Sequence, residues 1–271
     1  MTLGPFDITP ERIQALGPSF TPFVNRLLVV EVSGARVHGY QLAINSNENT
    51  PDGGVDAALR NGVATDFIPA GDSAWQFKRT SLGPQACAEE FGGAAWAHEF
   101  VRTGGAYIMV MGVALPDNLI EARRRSVAEK ALELGLLAAD DPDRLRVYDA
   151  NRLARWASRF PALAVSQLSG GPGLVAVDFD TWATGFTHTT TWVPDDGRSA
   201  AAESIRSQVT SQGVVEVRIQ GESGIGKTRL VMEALRMPDL RPLVAYVADA
   251  NAVSGELLRM TRWPWNFVAA S

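Results

Sequence analysis

The sequence predicts an α/β protein in two parts: a mixed sheet flanked by helices, then the opening of a second α/β domain built on a glycine-rich loop. Three observations carry this. Helical and strand periodicities follow the order helix, hairpin, helix, strand, helix, strand, helix, as in a layered α/β domain. Ala106–Val113 (AYIMVMGV) is a continuous apolar run of strand length, the pattern of a strand covered on both faces. Finally, Gly221–Thr228 reads GESGIGKT and lies between a β-branched run and a helix-forming run.

Taken in order, residues 20–36 include Pro22 near their start and set Phe23, Leu27, Val30 and Gly34 on one stripe. That spacing predicts a helix of about four turns, stopping near Gly39. Asn45–Gly54 (NSNENTPDGG) is a polar turn cluster. Val55–Arg60 and Ala74–Arg79 read as short strands close enough to pair as a hairpin, with a turn at Pro69–Ser73. Residues 86–103 read as helix, and 117–138 as an amphipathic helix on which Arg123–Arg125 read as a solvated face in preference to a DNA contact. Leu145–Tyr148 is a strand, and Asn151–Arg159 a helix ending before Pro161. Gly, Thr, Pro and Asp then dominate, so 169–198 is a linker between domains 1–168 and 199–271. Beyond it come a helix at 199–211, a strand at Val214–Gln220, a helix at 227–236 and a strand at Leu243–Val247.

Composition narrows the chemistry. The chain has 271 residues, about two domains' worth, and 46% are hydrophobic, enough to bury a core. A net charge of −5 gives no global basic signature, although a local basic cleft on an acidic protein is compatible with nucleic acid. Cys87 is alone, which excludes an internal disulfide and a cysteine-based zinc cluster. His38, His98 and His188 lie far apart, so a bound metal would take oxygen ligands, which favours Mg2+ or Mn2+. No run approaches the roughly 20 apolar residues of a membrane span, and Met1–Pro10 lacks a signal-peptide pattern; the expected compartment is the cytoplasm. The seven tryptophans are expected in packing.

Gly221, Glu222, Ser223, Gly224, Ile225, Gly226, Lys227 and Thr228 match the phosphate loop G-x-x-x-x-G-K-[ST] at every specified position. Glycines let backbone N–H groups face phosphates, and the following helix N-terminus adds partial positive charge. Lys227 would reach the outer phosphates of ATP or another nucleoside triphosphate, and Thr228 would offer its hydroxyl to Mg2+. GESGIGKTRL resembles the loop of STAND-type signalling ATPases, including those of bacterial defence proteins. Too few residues follow Thr228 for a complete ATPase, so the chain is expected to be a piece of a longer protein, without ATP hydrolysis of its own.

The upstream segments carry a second constellation. Phosphodiester cleavage with a metal needs one or two carboxylates on the ion and a lysine near the attacked phosphate. In AWQFK, alternation puts Gln76 and Lys78 on one face and Trp75 and Phe77 on the other, while Asp56 on the paired strand can reach the same spot. A bland reading stays open, with Asp56 ending a turn and Lys78 protecting a sheet edge.

These residues resemble the PD-(D/E)xK nuclease superfamily, particularly its Mrr-like restriction branch, over roughly residues 20–160. The resemblance implies a restriction-endonuclease-like mixed sheet, with Asp56 holding the metal, Gln76 binding metal or water through its carbonyl, and Lys78 as the catalytic lysine. It also implies Glu31 as an additional helical acid at the metal; Asp52 falls in the turn. Gln in place of Glu lowers the charge of the site. The combined resemblance implies a DNA endonuclease attached to a nucleotide-gated switch in anti-phage defence, oligomeric when active. A signalling ATPase with a non-catalytic adaptor domain and an RNA-directed nuclease remain alternatives.

Overall fold

The computed structural model describes residues 8–34, 39–44, 54–136, 144–160, 163, 176–185, 191–210, 217–247 and 266–269. The chain divides into two compact units, one of Ile8–Trp156 and one of Met1–Asp7 with Ala157–Ser271. His38, Asp52 and His188 lie outside the described residues.

The first unit is a mixed five-stranded sheet with strands in sequence order. A short helix α1 (Pro10–Gln14) leads into α2 (Phe20–Gly34), whose Phe23, Val24, Leu27 and Leu28 are buried. Strands β1 (Gln41–Ile44), β2 (Ala57–Gly62) and β3 (Gly71–Lys78) then form an antiparallel meander. The expected hairpin is therefore three-stranded; β1 is an edge strand of four mostly exposed residues, so it lacks the alternation that marks a half-buried strand. After β3 the chain crosses over through α3 (Pro84–Gly93) and α4 (Ala95–Arg102) to β4 (Ala106–Met111), parallel to β3 and wholly buried. The single helix expected at 86–103 is thus two. Gly92 and Gly93 weaken its middle, and the Phe91 carbonyl at the break accepts the Ala94 N–H at 3.0 Å and meets the His98 ring nitrogen Nε2 at 2.7 Å. Helix α5 (Asp117–Glu133) returns to β5 (Leu145–Tyr148), parallel to β4, and α6 (Ala150–Ala157) follows, capped by Asp149 Oδ1 accepting the Arg152 N–H.

Strand alternation sorts the core. Ala74 of β3, Tyr107, Met109 and Met111 of β4, and Leu145 and Val147 of β5 pack with Phe91, Phe100, Val101, Val127 and Ala131 of α3, α4 and α5. On the opposite face, Trp75 contacts Tyr148 and Trp156, and Phe67 stacks on Trp156 at 5.2 Å. Arg123 corrects the expected solvated face: it is buried, and its guanidinium donates to the carbonyls of Leu82 and Leu119 and to Ser81 Oγ. A helical arginine here ties the loop after β3 to α5, while Arg125 stays exposed.

The second unit holds a three-stranded sheet in the order β6 (Ala176–Asp178), β7 (Val244–Val247), β8 (Asn266–Ala269). Strand β6 runs straight into helix α7 (Phe179–Gly185), so the segment expected as linker, 169–198, contains a strand paired antiparallel with β7 and a helix packed on it. Helices α8 (Asp196–Val209) and α9 (Lys227–Leu235) pack together through Ala202, Ile205 and Ala234. The strand expected at Val214–Gln220 is not formed over 217–220; 214–216 lie outside the described residues. Val217 and Ile219 rest instead on the α8–α9 cluster, which covers their apolar faces without a ladder partner.

The entry to β2 turns on Gly54. Its φ is +81°, and a Cβ there would come within 2.7 Å of the Cα and Cβ of Ala94. Both backbone and space require glycine. Gly54→Ala is expected to lower unfolding free energy by about 2 kcal/mol in urea titrations, whereas Gly93→Ala, with nothing within 4 Å, should cost far less.

Candidate functional site

The polar face of β3 is built by the strand and by the helix that follows it. Asp56 immediately precedes β2; its N–H donates to the Trp75 carbonyl at 2.8 Å, and its Oδ2 accepts the Phe77 N–H at 2.6 Å. The carboxylate is thereby fixed against the backbone of β3 beside Gln76. Gln76 is buried, and both ends of its amide are used: Nε2 donates to Glu90 Oε2 at 2.9 Å, and Oε1 accepts the Tyr107 hydroxyl. Because a carboxylate only accepts and the phenol donates here, the pair of partners sets the amide orientation. Lys78, two residues along the same face, places Nζ 2.6 Å from Glu90 Oε2. Gln76 and Lys78 therefore meet on one oxygen.

Burial is the main cause of the raised pKa of Tyr107, well above the usual phenol range, with the nearby negative charges of Glu90, Cys87 and Asp56 adding to it. Both carboxylates thus act on the same hydroxyl. Beneath the site, burial pushes the Cys87 thiol up to about 11, so this cysteine is a poor nucleophile near neutral pH.

The structure brings Asp56, Gln76 and Lys78 to one face and adds two residues not singled out from sequence, Glu90 and Tyr107. It does not bring Glu31 there. Glu31 is buried and its Oε2 accepts the Trp156 indole N–H at 2.8 Å. Trp156 packs on Trp75, across the sheet from Gln76, so the helical acid expected at the metal is a buried acceptor among aromatic rings. The signal for Glu90 was weak: one acid of a Glu89-Glu90 pair on a helix, with nothing local to separate it from surface charge.

The side chains of Asp56 and Glu90 and the Gln76 carbonyl could offer an ion only oxygen donors, the chemistry that suits Mg2+ or Mn2+. Among the described residues no group of three or more His, Cys, Asp or Glu side chains could hold a metal ion, so the amide carbonyl is needed to reach three protein donors.

In the second unit, Gly221–Thr228 forms an exposed turn opening into α9. Gly224 and Gly226 take φ of +84° and +93°, left-handed conformations that glycine adopts without strain. Lys227 Nζ donates to the loop's own carbonyls, to Gly221 at 2.9 Å and Glu222 at 3.0 Å. Ile225 lies exposed over Gly221, and Thr228 sits in the first turn of α9. Glu222 and Ser223 lie in the exposed arc. The loop is thus folded around its lysine, while the strand normally expected before it is absent from 217–220.

Comparison with protein-family models, curated proteins and solved structures gave no match.

Two outcomes follow from this geometry. Tyr107→Phe removes the donor to a buried amide oxygen and should cost about 1–2 kcal/mol at neutral pH. Because the folded pKa of Tyr107 is raised, its contribution is fully present below the unfolded phenol value of about 10 and is lost as pH rises through the folded value. Urea titrations across that range should therefore show the gap between wild type and Tyr107→Phe shrinking only above about pH 10. For the loop, Lys227→Ala should weaken binding of a fluorescent ATP analogue by at least about tenfold; unchanged binding would remove the phosphate-loop assignment.

Proposed function

We propose that the first unit is a metal-dependent phosphodiesterase acting on DNA, and that the second binds a nucleoside triphosphate which controls it. One observation carries this reading: an acid beside β2 and a lysine on β3 flank a buried glutamine on a single face of the sheet. The strand order supports a restriction-endonuclease-like core, since an antiparallel meander leads through a helical crossover to a parallel strand.

In this reading Asp56 and the Gln76 carbonyl hold the ion. A bound Mg2+ or Mn2+ supplies Lewis acidity and lowers the pKa of a water molecule. Lys78 offsets charge building on the attacked phosphate and orients the incoming water. Tyr107 keeps the Gln76 carbonyl aligned through its hydroxyl. Asp56 gains rigidity from the Phe77 N–H, which lowers the cost of ordering the site when substrate arrives. Gly221–Thr228 with the N-terminus of α9 would cradle the triphosphate, Lys227 exchanging its two carbonyls for phosphate oxygens and Thr228 facing Mg2+.

By resemblance to STAND-type ATPases, the biological setting is a bacterial defence switch, oligomeric when active, in the cytoplasm. No helix among the described residues is long and apolar enough to cross a membrane.

The mutual pairing of Gln76, Lys78, Glu90 and Tyr107 favours a second reading, in which the cluster only stabilises a non-catalytic adaptor. Plasmid cleavage with Mg2+ or Mn2+, with and without ATP, separates the two. Cleavage reduced by at least about 100-fold in Asp56→Ala and in Lys78→Ala, with circular dichroism unchanged, is the expected result. Intact plasmid under every condition selects the adaptor, and cutting that both variants retain in full places the chemistry outside this cluster. A single-stranded RNA substrate in parallel assigns the nucleic acid.

A further inference from the structure

We propose that Glu90 is the second carboxylate of the ion site and that it releases Lys78 when it takes the ion; this rests on the nuclease reading above. Gln76 carries no charge, so without Glu90 the donor set has only the single negative charge of Asp56. Mg2+ and Mn2+ are usually held by one or two carboxylates together with water, and a neutral amide is a weak substitute. Glu90 brings the missing charge from the crossover helix α3 rather than from the strand.

Its position fits that role. Oε2 accepts the Gln76 Nε2–H at 2.9 Å, so the carboxylate borders the same amide whose carbonyl would ligate the ion. Its other oxygen, Oε1, has no partner among the described residues. Asp56 accepts the Phe77 N–H and Glu90 accepts the Gln76 amide N–H, so the two acids flank the same residue of β3.

Lys78 gives the arrangement its coupling. Its ammonium sits 2.6 Å from Glu90 Oε2, and the two side chains are 26% and 37% exposed. A pair so open to water contributes about 1 kcal/mol or less and is readily exchanged. A divalent ion on Glu90 repels the ammonium at that distance, and the lysine then swings toward the anionic phosphate. The ion's arrival would thus deliver the lysine to the substrate.

A double-mutant cycle read by Mn2+ calorimetry tests this without any activity measurement. Lys78→Met removes a competing cation, and Mn2+ affinity should rise by about threefold or more. Adding Glu90→Gln to Lys78→Met should then lower affinity by about tenfold or more, because a ligand charge is lost with no lysine present to confuse the result. If that second substitution leaves affinity unchanged, Glu90 only clamps Lys78 and the proposal falls. Should Asp56→Asn abolish Mn2+ binding while Glu90→Gln does not affect it in either background, the nuclease reading stands and this inference alone is lost. Absence of Mn2+ binding in wild type and in Lys78→Met removes both. Glu90→Asp, which keeps the charge, should retain most of the affinity and serves if Glu90→Gln unfolds the protein, as judged by circular dichroism.

Discussion

A buried amide in the middle of a sheet must have both of its ends paired, and that requirement at Gln76 organises the first unit. Leaving either end unmet costs about 1–3 kcal/mol, a sizeable part of the stability of a domain this size. The amide nitrogen needs an acceptor, which draws Glu90 of α3 down onto β3; the oxygen needs a donor, which fixes the Tyr107 ring under α3. Once Glu90 is in place, Lys78 on the same face finds its partner without further adjustment. One strand, its parallel neighbour and the crossover helix are locked in register by three side-chain contacts.

The other face of β3 does opposite work. Trp75 is fully buried against Tyr148 and Trp156, and the aromatic layer extends to Phe67. Non-directional burial of this kind supplies most of the stabilisation, while the polar face supplies orientation. Glu31 belongs to the aromatic side because its carboxylate accepts the Trp156 indole N–H, and the Tyr148 hydroxyl reaches the Phe67 carbonyl at 2.7 Å. These two hydrogen bonds act as pegs between elements distant in sequence.

Much of this was legible in the residues, for stated reasons. Alternation in AWQFK fixed the two faces of β3, the unbroken apolar run marked the interior strand β4, and Leu145–Tyr148 was bounded correctly by its flanking polar residues. What escaped depends on contacts rather than on periodicity. Strand β1 pairs by backbone alone at an exposed edge, so no side-chain pattern announces it. Strand β6 has three residues inside a glycine-rich stretch and exists because β7 offers it an edge. At 217–220 the error ran the other way: Val217 and Ile219 alternate like a strand, but helices α8 and α9 satisfy them without a ladder. Glu90 and Arg123 each lie on a helix among other charges, and only the fold shows that one faces a strand and the other is buried.

The two motif lysines share a chemical state. Lys78 is held by a carboxylate of its own unit and Lys227 by two carbonyls of its own loop. In each case an ammonium occupies oxygen ligands weaker than a phosphate would be, and in each the existing contacts are open to water. A neutral carbonyl bond contributes about 1 kcal/mol net, and an exposed ion pair no more, whereas a charge-assisted bond to phosphate is roughly twice as strong as a neutral one. The balance therefore favours exchange toward phosphate at both places, provided the anion reaches them. For Lys227 that requires only diffusion into an exposed loop. For Lys78 it requires that the negative charge of Glu90 be taken up by something else, since a carboxylate left bare beside an incoming phosphate would repel it. In the proposed nuclease reading a divalent cation would meet that condition directly, which would make the lysine's availability depend on the ion and not on the nucleic acid alone.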